Sequence, residues 1–149
     1  MREILFKAKR IDDGEWVEGY YQKRYDEIGR ERYYIFRCES NIVWEYAKVD
    51  ANTLCQYTGL TDKNGCKIWE NDIVTHTYIK YKVKPNDYPP FGTEKKQKNY
   101  VIRFDSTASF LGYRYHNSRN IFPFKKGTVI NGNDEVIGNI FDNPELLHG

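Results

Sequence analysis

A chain of 149 residues that is 40% hydrophobic and 30% charged is globular, one ordinary domain or a domain with a small appendage, and neither disordered nor fibrous. At this length folding buries roughly 70% of the unfolded surface, so the core needs no disulfide or metal staple. The net charge is only +2, but Lys80–Lys126 holds 11 Lys/Arg against 3 Asp/Glu, net +8, and the rest of the chain is net −6.

In chain order, "EILFKAKR" and "IDDGEWVEGYYQK" read as two strands around Asp13-Gly14. Asp-Gly favours a two-residue hairpin whose central residues both have positive φ. Ile4, Phe6 and Ala8 share one face of the first strand, with Lys7 and Lys9 on the other. "RYYIFRC" and "IVWEYAKV" are the third and fourth strands, separated by the polar "ESN". "DANTLCQYTGL" is either a short helical turn capped by Asp50 or Asn52, or an extended passage; its apolar spacing does not decide. Asn64-Gly65 in "TDKNG" is a type I′ turn signal. "DIVTHTYIKYKV" is a long strand, with Ile73, Thr75, Thr77, Ile79, Tyr81 and Val83 on one face and Val74, His76, Tyr78, Lys80 and Lys82 on the other. "KPNDYPPFGTEKKQKN", rich in Pro and Lys, is expected as a long loop. "YVIRFD", "SFLGYRYH" and "TVINGNDEVIGNIF" continue the strands, the last around Asn131-Gly132 or Asn133-Asp134. Asn143 with Pro144 behind it is placed to start a short C-terminal helix.

No segment carries a helical stripe of a dozen residues. Short strands punctuated by turn residues point to a mainly β fold, barrel or sandwich. Three cysteines, Cys38, Cys55 and Cys66, odd in number and without a C-x-x-C pair, predict free thiols in a reducing cytoplasm. The charged "MREILFKAKR" does not read as a signal peptide, and no apolar run is long enough for a transmembrane helix.

Glu70 and Asp72 stand two residues apart, with His76 in the same parity. Paired carboxylates and a histidine suit acid–base work or a metal. The turn at Glu70-Asn71 interrupts the strand, however, and three converging ligands are not assembled, so the carboxylates are expected as solvated turn residues. Cys38 alternates with Tyr34 and Phe36, as a small buried hydrophobe does. No G-x-S-x-G elbow, phosphate loop or dinucleotide fingerprint occurs. No catalytic residue, metal site or cofactor is expected. Rings interleave with Arg103, Arg114, Arg119, Lys125 and Lys126 in "YVIRF", "FLGYRYHNSR" and "FPFKK", a pattern suited to single-stranded nucleic acid or a small anion. The same pattern also describes a core-facing aromatic stripe backed by solvated charge.

Three strings carry a family resemblance: "KAKRIDDGEWVEGY", "QYTGLTDKNGCKIWENDIV" and "VIGNIFDNPELL". Together they resemble the YopX family of phage and prophage proteins, whose centre typically reads like "QYTGLKDKNGKKIYEGDIV" and whose end reads like "GNIYENPELL". One departure is Asn71, where the family has Gly; a positive φ is expected there, which Asn tolerates. The loop Lys84–Lys98 looks expanded relative to the family. The resemblance implies a mostly β fold with a small SH3-like barrel in the C-terminal part, a tendency to oligomerise and a phage or prophage origin. It transfers no catalytic residue and no established function.

The chain is thus expected to comprise an N-terminal β-hairpin region, residues 1–50, and an SH3-like barrel, residues 51–149, as one continuous YopX-like unit. The expected function is non-catalytic, with no cofactor and no membrane partner. The first expectation is a cytoplasmic protein-interaction or self-assembling module. The alternatives are a nucleic-acid-binding barrel using Arg103, Arg114, Arg119, Lys125 and Lys126, or a pocket for a small anion. Asn64, Gly65, Asn71 and Asp72 are expected as structural turn residues.

Overall fold

The structure, a computed structural model, describes residues 4–39, 43–82, 92–107, 110–116, 121–123 and 134–148, with the backbone alone at 38–39, 43–44, 105–107, 110–116 and 121–123. The fold is mainly β, with eleven strands and two short 3₁₀ turns among the described residues. The chain divides into two compact units, Met1–Gly59 and Leu60–Gly149.

The first unit contains β1 (Phe6–Lys9), β2 (Trp16–Tyr25), β3 (Glu31–Glu39), β4 (Val43–Lys48) and most of β5 (Cys55–Thr61). Their hydrogen-bonded order is β4-β3-β2-β1-β5, with the pairings antiparallel. β2 changes partner in mid-strand: Gly19 pairs with Phe6 of β1, and Tyr20 pairs with Phe36 of β3. A Cβ on Gly19 would lie 2.3 Å from the Phe36 carbonyl oxygen, so only glycine lets the strands approach here. The sheet curls until the residues just after β1 and β4 meet at the bridge Arg10↔Val49. Around it, Asp50 N–H donates to Lys9 O (2.9 Å) and Ile11 N–H to Lys48 O (3.0 Å). Ala8, Val17, Ile35, Ala47 and Val49 form the core on the concave face, with Phe6, Tyr21, Tyr33 and Leu54 packed around them. Burying such side chains contributes about 1.5–3 kcal/mol each for those of Val or Ile size.

The β1–β2 connection is longer than Asp13-Gly14 predicts. Arg10 N–H donates to Glu15 O, and only Gly14 has positive φ (73°). Asp13 stays in ordinary conformation and its carboxylate accepts from Glu15 N–H (2.9 Å). The side chain thereby ties down a loop that a primed turn would have closed with backbone alone. Between β4 and β5, Ala51–Thr53 is a 3₁₀ turn whose N-cap Asp50 accepts from Asn52 N–H at 3.0 Å.

The second unit holds β6 (Lys67–Trp69), β7 (Asp72–Lys82), β8 (Gly92–Thr107), β9 (Phe110–His116), β10 (Ile121–Pro123) and β11 (Glu135–Asn139). Its main sheet has the order β10-β9-β8-β7-β11. β5 crosses the boundary at Gly59, and β6 is the next strand beside it. Ile68, Val74, Tyr100 and Ile102 form the core, with Leu60 and Val136 against it. Trp69 and Ile73 are also buried.

The expected SH3-like barrel is corrected here. Among the described residues the five-stranded sheet is open, with β10 and β11 at opposite edges. Closing a barrel requires the outermost strands to meet, and bulges or bends to turn the corners. β7 and β8 instead keep unbroken register from Ile73↔Val101 to Lys82↔Gly92. The expected long loop is also corrected, because its part from Gly92 onward is the first half of β8. Pairing with β7 overrides the weak strand propensity of its Lys and Gln residues. Among the described residues, β9 pairs with β8 from Val101 onward and β11 pairs with β7 as far as Thr75. His76–Lys82 and Gly92–Lys98 therefore extend as a two-stranded ribbon.

The predicted C-terminal helix is a single 3₁₀ turn, Pro144–Leu147. Asn143 does not cap it; its Oδ1 accepts from Asn139 N–H at 3.4 Å, outside the turn. The turn signals at Asn131–Asn133, the part of the expected loop from 84 to 91 and the side chain of Cys38 lie outside the described residues.

Candidate functional site

Strand pairing in the first unit sorts its side chains into two faces. Opposite the core lie Lys7, Lys9, Trp16, Glu18, Tyr20, Gln22, Arg24, Arg32, Tyr34, Phe36, Tyr46 and Lys48, as the registers Lys7↔Glu18, Tyr20↔Phe36, Gln22↔Tyr34, Phe36↔Tyr46 and Tyr34↔Lys48 require. The rings form a continuous chain. Tyr20 and Phe36 are 5.7 Å apart between centroids, Phe36 and Tyr46 5.5 Å, and Tyr46 and Tyr34 6.4 Å. Arg24 lies over two of them, its guanidinium carbon 4.9 Å from the Tyr46 centroid and 5.6 Å from Tyr34. It also donates to the Tyr46 hydroxyl at 3.3 Å. At the β1 end, Lys7 and Lys9 stand over Trp16 at 4.6 and 5.5 Å. Tyr20 and Tyr46 are 49% and 46% exposed, so this is an open aromatic surface rather than a second core.

Beside the Arg10↔Val49 bridge is a cleft of about 590 Å³, lined among others by Lys9, Arg10, Arg32, Tyr33, Lys48 and Asp50. That volume suits a small molecule. Two of its cations are already engaged. Arg10 pairs with Asp12 (3.1 Å), Asp13 (3.6 Å) and Glu45 (3.5 Å), and Arg32 with Asp26 (3.0 Å). These internal carboxylates weaken the cleft as an anion site.

Of the five basic residues read as a nucleic-acid or anion surface, Arg103 is exposed on β8 and donates to Asn71 Oδ1 at 3.1 Å. Arg114 falls on β9 opposite Arg103 in the backbone register. The Arg114 side chain, and Arg119, Lys125 and Lys126 altogether, lie outside the described residues.

The turn residues occupy two corners. Asn64 and Gly65 sit in a loop closed by Asp62 N–H to Cys66 O at 2.8 Å. Gly65 has φ 78°, while Asn64 does not have positive φ. This is a three-residue loop with a bulge glycine rather than a primed turn. Asn71 has φ 69°, the one non-glycine residue in that region among those described. Its backbone is held at both ends, N–H donating to Ile102 O (2.8 Å) and the carbonyl accepting from Ile140 N–H (3.1 Å). Asp72 is not a solvated turn residue: it is buried, and its Oδ2 accepts from Trp69 N–H at 2.8 Å.

Two buried carboxylates escaped sequence reading. Asp62 accepts from Asn64 N–H (2.8 Å) and Cys66 N–H (2.9 Å) through Oδ1, and from Val136 N–H (3.0 Å) through Oδ2. Burial pushes its pKa up, but these three donors and nearby Lys63 outweigh it, leaving the carboxyl below the usual aspartate range. Asp134 is fully buried, and its Oδ1 lies 2.6 Å from His76 Nδ1. The Asn-Gly dipeptide hinted at the first site, since Asp three residues before a turn glycine often closes the loop through its side chain. Nothing local hinted at the second, whose partners are 58 residues apart.

Together these contacts clasp the start of β11. Lys63 N–H donates to Asp134 O (3.1 Å), Asn64 Nδ2 donates to Glu135 Oε1 (3.3 Å), and Lys63 pairs with Glu135 (3.3 Å). A buried Asp on a histidine Nδ1 is also the base-orienting half of a catalytic triad. Here the pair joins β7 to the residue before β11, and no cluster of three or more metal-ligating side chains occurs among the described residues.

The family model described as "YopX protein" matches residues 5–148. No curated protein matches the chain. Among solved structures, the crystal structure of protein EF1440 from Enterococcus faecalis is similar, with a TM-score of 0.52 and 20% identity over 99% of each chain. That likeness shows the fold alone. The strings that carried the resemblance in the sequence lie within the matched span, and their Asp62 turn and Asn71 corner serve the clasp and the entry to β7. The chain therefore belongs to the YopX family.

Proposed function

We propose that this chain is a non-catalytic, phage- or prophage-encoded accessory protein that works in the bacterial cytoplasm by binding another protein, a second copy of itself included. The observation that supports it is the open aromatic face of the first unit: Tyr20, Tyr34, Phe36 and Tyr46 around Arg24. Tyr, Trp and Arg are the residue types that dominate binding energy in protein interfaces. They supply large contact area with few rotatable bonds. Here the rings already pack on one another and on Arg24, so little side-chain freedom remains to be lost on docking.

The experiment pairs sedimentation of the purified chain with capture from cells carrying a related phage. Tyr20→Ser together with Tyr46→Ser removes the most exposed rings without touching the core. The expected result is loss of the self-association, or of one reproducible captured protein, with the melting temperature unchanged. A double variant that assembles and captures as the parent does removes this face from the function.

A further inference from the structure

We infer that the two-stranded ribbon of the second unit, His76–Lys82 paired with Gly92–Lys98, is a binding arm for double-stranded nucleic acid. This is independent of the aromatic face. Register puts His76, Tyr78, Lys80, Lys82, Glu94, Lys96 and Lys98 on one face of the ribbon, because His76 pairs with Lys98, Tyr78 with Lys96, Lys80 with Glu94 and Lys82 with Gly92. That face has four lysines and one carboxylate. Glu94 is taken by Lys96 at 2.8 Å, and the lysines around it hold its carboxyl below the usual range, the Lys96 hydrogen bond first. Among the described residues, Lys80, Lys82 and Lys98 have no carboxylate within ion-pair distance.

Three features point to a duplex. Among the described residues this ribbon has no third strand, and a two-stranded ribbon is marginal in water, so its extension beyond the sheet calls for something to cover it. Its exposed side chains include Tyr78, Ile79 (56%) and Tyr81 (63%) as well as the lysines. Finally, the major groove of B-form DNA has the width to admit a two-stranded β-ribbon, with lysines reaching the phosphates on either side. The positive section found in the sequence is thus placed in part on an element of the right thickness, and an acidic protein surface would not require that thickness.

The test uses the full chain and a fluorescently labelled 20-base-pair DNA duplex, followed by anisotropy across a salt series. Affinity is expected to fall steeply with salt, by a log–log slope of about 0.9 for each phosphate contacted. Lys80→Gln with Lys82→Gln should reduce that slope by about two and weaken binding about tenfold near physiological salt. Arg24→Gln, in the other unit, should leave the slope unchanged. No anisotropy change at low salt overturns the inference. So does a slope indifferent to the lysine pair, or equal affinity for a single strand of the same length. If the lysine substitutions instead dissociate a dimer while the duplex never binds, the ribbon belongs to a second copy of the chain.

Discussion

Two turns in this molecule have the same construction and different surroundings. Asp26–Arg30 closes the β2–β3 hairpin, and Asp62–Cys66 joins β5 to β6. In each, the Asp N–H donates to the carbonyl four residues on (2.9 and 2.8 Å), and the glycine N–H returns to the Asp carbonyl (3.0 and 3.1 Å). In each, one carboxylate oxygen accepts from two backbone amides, Ile28 and Arg30 in the first, Asn64 and Cys66 in the second. Gly29 and Gly65 have nearly the same φ, 79° and 78°. What differs is the second oxygen. That of Asp26 meets Arg32 at 3.0 Å near solvent, whereas that of Asp62 meets the Val136 amide, 74 residues away. One motif therefore serves as a local hairpin closure and, elsewhere, as a long-range clasp. Burial and a distant donor make the difference.

The largest test of that comparison is Asp62→Ala. It leaves the part-buried Val136 amide without its acceptor, together with two turn amides nearer the surface, and should cost about 2–3 kcal/mol in urea unfolding. Asp26→Ala faces water that can replace its partners, and its midpoint shift should be much smaller. Both carboxyls are held below the usual aspartate range, Asp26 chiefly by the Arg30 amide, so the acid limb reports on each of them. For Asp62, a folded-state value below the unfolded one means that the unfolded chain takes up its proton first. Its contribution is full above about pH 4 and is lost as pH falls through the lower folded value. Asp62→Asn should flatten that limb, and an unaltered limb would show that other carboxylates govern it.

The glycines should behave alike. A Cβ on Gly29 or Gly65 meets nothing within 4 Å, so alanine there costs only the left-handed backbone, about 1–2 kcal/mol at either site. Unequal losses would mean that the second turn is strained by its clasp. The smallest effect is expected at Asn71→Gly. Glycine suits φ 69° better, while the variant gives up the Arg103 contact at 3.1 Å. The stability change should stay within about 0.5 kcal/mol.

Much of the fold was legible because it depends on neighbours in sequence. Alternation placed Ala8 inward and Lys7 and Lys9 outward, and the strands of "RYYIFRC" and "IVWEYAKV" lie where their β-branched and aromatic residues put them. The positive φ at Asn71 followed from one glycine in the family pattern. The candidate surfaces were harder to read. The lysines of Gly92–Lys98 look like loop until β7 is known to pair with them. Tyr20, Phe36 and Tyr46 come from three strands, and nothing in any one strand says that their rings meet.

By itself, then, the sequence determined a β-rich chain, several of its turn positions, its uneven charge and its membership of the YopX family. These are local or compositional properties, set by side-chain period, backbone φ and residue count. Only the tertiary structure decided that Asp62 and Asp134 are buried, that the second sheet stays open, and that aromatic and basic side chains gather on an open face and a ribbon. Those outcomes depend on which distant strand arrives beside which. Burial and hydrogen-bond partners supplied from 58 or 74 residues away leave no local trace in composition or spacing.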